Sequence, residues 1–158
     1  AAEPRARFVV VSDGPLRRKL QRKNPSFHFT GFLPREDLAR HYASGDLLLY
    51  ASLTETFGNV VTEAMASGLP VAAFNYAAAA LHIRHGLNGW HVPLGDAGAF
   101  VASSTALARD RDLRRRLGTA ARETAMGISW DRVIGGLEQD LLETAGLPRQ
   151  SALTAPAP

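Results

Sequence analysis

The chain has 158 residues, no cysteine and a formal charge of +3 from 18 basic and 15 acidic side chains. That length is enough for one domain burying roughly 70% of its unfolded surface, and the absence of thiols excludes a disulfide framework and any thiolate metal site. No apolar run approaches the ~20 residues of a membrane span and no signal peptide opens the chain, so the sequence reads as that of a soluble cytoplasmic protein.

In chain order, Phe8–Ser12 is a short β-branched run, and Gly14-Pro15 opens a helix through Gln21 with Pro15 at its first position. Phe27–Gly31 is a second strand. Pro34 to Asp37 begins a helix that turns Leu38, Tyr42 and Ala39 to the core and ends near Gly45. Leu47–Tyr50 has no polar interruption, which predicts a third strand buried on both faces. The next helix stops at Gly68-Leu-Pro70, a glycine C-cap with a proline beyond it. Val71–Phe74 is a fourth strand, Ala79–Arg84 a helix ending at Gly86, and Gly89–Val92 a fifth strand. Helices over 97–109, 111–126 and 129–144 follow, the last with Ser129 as N-cap and Trp130 as a core-packed anchor. The tail 147–158 has little to bury and is expected to be disordered, which leaves 1–146 as the folded domain.

Short strands alternating with helical segments predict an α/β fold, a Rossmann-like parallel sheet with helices on both faces. Ligands of such sheets bind beyond the carboxyl ends of the strands. Four loops lie at that edge: 12–15, 31–34, 52–59 and 75–80.

The basic residues are nearly all arginine, a usage that reads as GC-rich and bacterial. The densest run, Arg109 to Arg116, is interrupted by Asp110 and Asp112 and fits an amphipathic helix with a solvated face. It lacks the interleaved aromatics that stack on bases, so nucleic acid is not expected as a partner. Arg114 to Arg116 are the candidates for peripheral contact with the inner face of a membrane. His82 and His85, three positions apart, have no third ligand at useful spacing, so no metal is expected.

The chemistry concentrates in Ser52 to Pro70. Glu55 lies before the helix and Glu63 on its second turn, eight positions apart. Between them, the free N–H groups near Phe57, Gly58, Asn59 and Val60 lie at the positive end of the helix dipole, where an anionic group binds well. A diphosphate fits there, with one glutamate reaching a hydroxylated ring on either side.

Glu55, seven residues, Glu63 and then Ala64-Met-Ala-Ser-Gly-Leu-Pro-Val71 resembles the signature of the retaining GT-B glycosyltransferases of family four. The resemblance implies that Glu55 holds the donor sugar, as a sugar-positioning catalytic group, and that Glu63 holds the ribose diol. Loop amides would hold the diphosphate, and no cofactor is needed beyond the nucleotide-sugar substrate. Val11-Ser-Asp-Gly-Pro15 resembles the family's Gly-x-Gly-Pro turn, in which Gly14 lets backbone approach the ligand. Phe29-Thr-Gly-Phe-Leu-Pro34 resembles the loop that reads the nucleobase through its backbone, here at Gly31 and Phe32. Such an enzyme has two domains, and this chain matches the second one only. Its partner would be the amino-terminal domain, and the central first strand of the sheet is missing. In the order 3-2-1-4-5-6 that loss leaves a gap between Phe8–Ser12 and Leu47–Tyr50.

The sequence also departs from the family. Where Gly-Gly and a following Glu are usual after the fourth strand, it has Ala77, Ala78 and Leu81. This keeps open a degenerate binding or assembly module without turnover. Another GT-B enzyme, such as a nucleotide-sugar epimerase, is a further alternative. A pyridoxal-dependent phosphorylase is disfavoured because Lys19 and Lys23 both lie on the first helix.

Overall fold

The structure is a computed structural model that describes residues 6–148. Most of the expected tail, from 149 on, lies outside the described residues. The chain divides into two compact units, one up to residue 125 and one from 126 onward.

The first unit holds five strands in two parallel sheets: β1 (Val9–Val11) with β2 (His28–Gly31), and β3 (Leu48–Tyr50), β4 (Val71–Phe74) and β5 (Trp90–Val92) in that order. Helices α1 (Arg17–Lys23), α2 (Arg35–Ser44), α3 (Asn59–Ala66), α4 (Ala77–His82), α5 (Ala97–Arg109) and α6 (Arg111–Met126) alternate with and follow the strands. Leu48 pairs with Val71 and Ala72 with Trp90, all in parallel register. β1 pairs only with β2 and β3 only with β4, so the strands on either side of the expected gap do not pair with each other.

β4 is buried along its whole length and organises the core. Its Val71 and Ala73 pack with Val61, Ala64 and Met65 of α3 and with Ala78 and Ala79 of α4, while Ala72 faces Leu107 of α5 and Leu117 of α6. This is the period of two that a strand imposes. α3 ends as a Schellman turn: Gly68 has φ +72, Leu69 N–H donates to the Ala64 carbonyl at 3.0 Å and Gly68 N–H to that of Met65 at 2.9 Å. α6 crosses this turn so closely that a Cβ on Gly118 would lie 2.3 Å from the Gly68 carbonyl oxygen. Arg122 of α6 donates to the exposed carbonyl of Ala66 at 2.8 Å, which caps α3 from outside. Asn88, 1% exposed, is a polar tie in this region: it accepts from Arg84 N–H and donates to the His82 carbonyl and the Thr124 hydroxyl.

Several expectations are corrected. β3 is not buried on both faces, because it is an edge strand with one neighbour, and Leu49 is 38% exposed. α1 starts at Arg17 rather than at Gly14-Pro15, since Asp13 Oδ1 accepts from Gly14 N–H and Arg17 N–H closes a turn onto the Gly14 carbonyl. Ala39 is exposed, while Leu38 and Tyr42 are half-buried. α4 runs from Ala77 to His82, so His85 lies beyond the helix, donating from Nδ1 to the His91 carbonyl, its ring tilted against that of Trp90. Arg114 points inward: its guanidinium donates to the carbonyls of Leu107 and Ala108 and caps α5, leaving the proposed basic face with Arg115 and Arg116.

The second unit contains α7 (Trp130–Thr144), whose N-cap Ser129 accepts from Arg132 N–H. Trp130 is 79% exposed and not the core anchor the sequence suggested, because α7 is the only helix of the described part of this unit and buries none of its side chains.

Candidate functional site

α3 begins at Gly58, whose left-handed backbone (φ 90°, ψ 49°) turns the chain out of the β3 loop and into the helix. Among the described residues, nothing in the chain accepts from the N–H groups of Asn59 and Val60, and no side chain caps the helix. Two amides and the positive end of the dipole therefore face outward together. A Cβ on Gly58 would stand 3.7 Å from both Ala78 Cβ and Glu55 Cγ, so the turn is closely lined on two sides.

Glu55 and Glu63 flank these amides, and each is held by a tyrosine. Tyr50, the last residue of β3, donates its hydroxyl to Glu55 Oε1. Tyr42 of α2 donates to Glu63 Oε2 at 3.0 Å. The Glu55 carboxyl lies below the ordinary carboxylate range, because the Ser52 hydroxyl and the Tyr50 phenol favour its charged form against a smaller opposing push from burial. Burial, reinforced by Glu55, pushes the Tyr50 phenol up to about 12, and burial with Glu63 raises Tyr42 further still. Both phenols are therefore donors at neutral pH.

The loop after β4 closes the other side. Ala78 N–H donates to the Phe57 carbonyl at 2.8 Å, Tyr76 donates to the Glu55 carbonyl at 3.4 Å, and His82 meets the Phe57 ring edge-on at 6.0 Å. Burial lowers the His82 pKa, which favours the neutral imidazole. Ala77 adopts φ +49°, the left-handed region in which a side chain is strained and glycine is not. Leu81, where a carboxylate was expected by resemblance, is 69% exposed and adds no charge.

The structure thus gathers Glu55, Phe57, Gly58, Asn59, Val60 and Glu63 around one helix end. Gly14, Gly31 and Phe32 form a separate group at the ends of β1 and β2, with no hydrogen bond or ring contact to the first among the described residues. There Arg17 spans the two strands, paired with Asp13 at 2.9 Å and donating to the Phe29 carbonyl at 3.4 Å. Its guanidinium lies over Gly31 (φ +77°), where a Cβ would approach Nη1 to 2.7 Å. Phe32 is 84% exposed, and a Cβ on Gly14 would meet nothing within 4 Å. Among the described residues, no group of three His, Cys, Asp or Glu side chains is placed to hold a metal ion.

Sequence reading missed Tyr42, Tyr50, Tyr76 and Arg17. The Asp13–Arg17 pair at four residues' spacing is readable in the sequence, as is Tyr50 five positions before Glu55. Tyr42 is 21 positions from Glu63, and only its packing on the core cluster with Val61, Ala64 and Met65 brings them together.

Parallel sheets flanked by helices in this arrangement are the fold of the carboxyl-terminal half of a GT-B glycosyltransferase. A family model, glycosyl transferases group 1, matches residues 1–110, and the chain belongs to that family. It is 36% identical over 132 residues to a sulfoquinovosyl transferase of Arabidopsis thaliana, covering 80% of this chain and 26% of that protein. It is also 36% identical over 143 residues to a GDP-mannose-dependent alpha-mannosyltransferase of Mycobacterium tuberculosis, covering 87% of this chain and 37% of the relative. The chain therefore spans about a quarter to two fifths of the length of these relatives. Among solved structures, sucrose-phosphate synthase from Thermosynechococcus elongatus superposes with a TM-score of 0.76 at 25% identity, over 89% of this chain and 40% of that one. Anabaena HepE in complex with UDP and glucose has the same fold, with a TM-score of 0.72 at 24% identity, over 91% of this chain and 41% of that one. Among the described residues, no helix is long and apolar enough to cross a membrane.

Proposed function

We propose that the chain is the donor-binding domain of a retaining glycosyltransferase, which transfers a sugar from a nucleotide diphosphate to an acceptor held by a second domain. The observation that carries this reading is the pair of glutamates on either side of the unsatisfied Asn59 and Val60 amides. Those amides donate to the diphosphate, whose negative charge grows as the bond from the sugar to the phosphate oxygen breaks. Glu63 accepts from the ribose hydroxyls and Glu55 from the sugar hydroxyls. Glu55 positions the sugar and is not a covalent nucleophile, because the acceptor arrives on the face the donor leaves. Gly14, Gly31 and Phe32 border the nucleobase. Nothing in this scheme requires a metal or a further cofactor. The enzyme acts in a bacterial cytoplasm, with Arg115 and Arg116 available to a membrane surface, and the isolated domain does not turn over. The sulfoquinovosyl and mannosyl transfer of the relatives and the UDP bound by HepE support the reading.

Isothermal titration with UDP, GDP and ADP, repeated on Glu63→Ala, tests it. One nucleotide should bind at millimolar affinity or better and weaken about tenfold in the variant, the scale of one lost charge-assisted hydrogen bond. Equal affinity in wild type and variant would remove Glu63 from the site. The second reading, a binding module without turnover, is favoured by Leu81 and the strained Ala77. It predicts nucleotide binding without transfer even when the acceptor domain is supplied.

A further inference from the structure

We infer that Tyr42 and Tyr50 are positioning residues of the donor site: each phenol takes one carboxylate oxygen of a site glutamate and leaves the second oxygen to the donor. The inference rests on the donor-site reading above and assigns roles to two side chains outside the recognised motif.

Glu63 is exposed on a helix surface and Glu55 stands on a loop, so neither carboxylate is fixed by its own backbone. A free glutamate must be ordered when the ligand arrives, and that entropy is lost from affinity. The two tyrosines remove the cost beforehand. Both rings pack against the core cluster of Val61, Ala64 and Met65, and both hydroxyls reach out of it to a glutamate. They come from different elements, α2 and the end of β3, so one carboxylate is anchored on each side of the α3 amides. An ionised carboxylate offers about four lone-pair sites, of which a phenol fills one, so the sugar and the ribose find acceptors still free. Burial and the neighbouring carboxylates keep both phenols protonated at neutral pH. The arrangement is that of a binding group held in place by a second residue with its own packing.

The two pairs serve different parts of the donor, which gives a readout that simple core packing would not produce. Tyr42→Phe and Tyr50→Phe keep the ring and remove only the hydroxyl. Each is titrated calorimetrically with UDP and UDP-glucose, and with GDP and GDP-mannose. Tyr42→Phe should weaken a diphosphate and its sugar alike, by about five- to tenfold, whereas Tyr50→Phe should weaken only the nucleotide sugar. Equal losses for all ligands in both variants, or changes within about twofold everywhere, would overturn the inference.

A second arm needs no ligand. Tyrosine ionisation is followed by absorbance while circular dichroism reports the fold, and Glu55→Gln and Glu63→Gln should each bring one late-ionising phenol to lower pH. An unchanged titration means the pairs do not form, and the inference fails. If the phenols shift as expected but the wild-type chain binds no nucleotide, the donor-site reading fails, and with it the positioning role.

Discussion

The two sheets of the first unit bury their side chains very unequally. Every fully buried hydrophobic residue among those described lies between Val61 and Ala121, around β3, β4 and β5, and β1, α1, β2 and α2 contribute none. The cause is topological. β4 has a strand on each side and helices on each face, whereas β1 has one neighbour and α1 buries no residue, leaving Val9 50%, Leu16 61% and Leu20 43% exposed. The glutamates and the open α3 amides stand on the well-packed half, and Gly14, Gly31 and Phe32 on the other. The proposed donor site is thus assembled from a rigid part that would hold the diphosphate and sugar and a looser part at the base. Binding loops are commonly drawn from the low-stability end of a structure, and the division follows that rule.

Truncation should expose the difference most strongly. Met65 is fully buried in the α3 side of the core, and Met65→Ala should cost about 2–5 kcal/mol in urea unfolding. Leu20→Ala on α1 should stay within about 0.5 kcal/mol, as surface substitutions do. Comparable losses at the two positions would break the comparison. Asn88→Ala comes next, at about 1–3 kcal/mol, because it leaves Arg84 N–H and the His82 carbonyl without their partner in a buried place. Native-state hydrogen exchange should agree, with β4 amides protected at the global limit and β1 amides exchanging through local opening.

Much of this division was legible in the sequence. The unbroken run of Val71–Phe74 and Gly68 before Pro70 marked β4 and the C-cap of the helix before it. The ranges read for α5 and α6 match the structure, which adds their N-caps, Asp96 and Asp110, accepting from Ala99 and Leu113 N–H. The glutamate spacing was legible because both carboxylates depend on one local turn. What failed depended on partners distant in the chain. Leu47–Tyr50 is apolar enough for a central strand, yet apolarity does not say how many neighbours a strand has, so its exposed edge was missed. Trp130 looked like an anchor because anchoring is what a buried tryptophan does, but periodicity does not tell which face finds a partner. Tyr42 reaches Glu63 only by packing on the core cluster that α3 helps to form, and no local pattern encodes that.

Backbone strain sharpens the comparison at an intermediate scale. Ala77→Gly should relieve about 1–2 kcal/mol of left-handed strain against about 0.4–1 kcal/mol of added unfolded-chain entropy, for a net gain of about 0.5–1 kcal/mol. Gly31→Ala on the other half should lose about 1–2 kcal/mol, since it introduces the same strain at φ +77° and displaces Arg17. Opposite shifts of the unfolding midpoint are expected. A loss at Ala77 would mean that its Cβ contacts outweigh its dihedral.

The smallest effect is electrostatic. The Glu55 carboxyl is depressed below its ordinary value of 4.5, so the stability it contributes is present above 4.5 and is lost as pH falls through the folded-state value. Tyr50 behaves in the opposite sense: raised from 10.0 to about 12, it contributes stability below pH 10 that is lost as pH rises through 12. Glu55 is solvent-accessible, so its share is small, and it is best seen as a difference between variants. In urea unfolding between pH 3 and pH 6, the gap between wild type and Glu55→Gln should narrow as the carboxylate takes up its proton. The narrowing should be weaker in a Tyr50→Phe background, where one of the groups that lowers the pKa is gone. A gap independent of pH would show that Glu55 titrates alike in the folded and unfolded chain. The Tyr50 contact would then not favour the charged carboxylate, and the site would lose one of the two anchors that distinguish its rigid half.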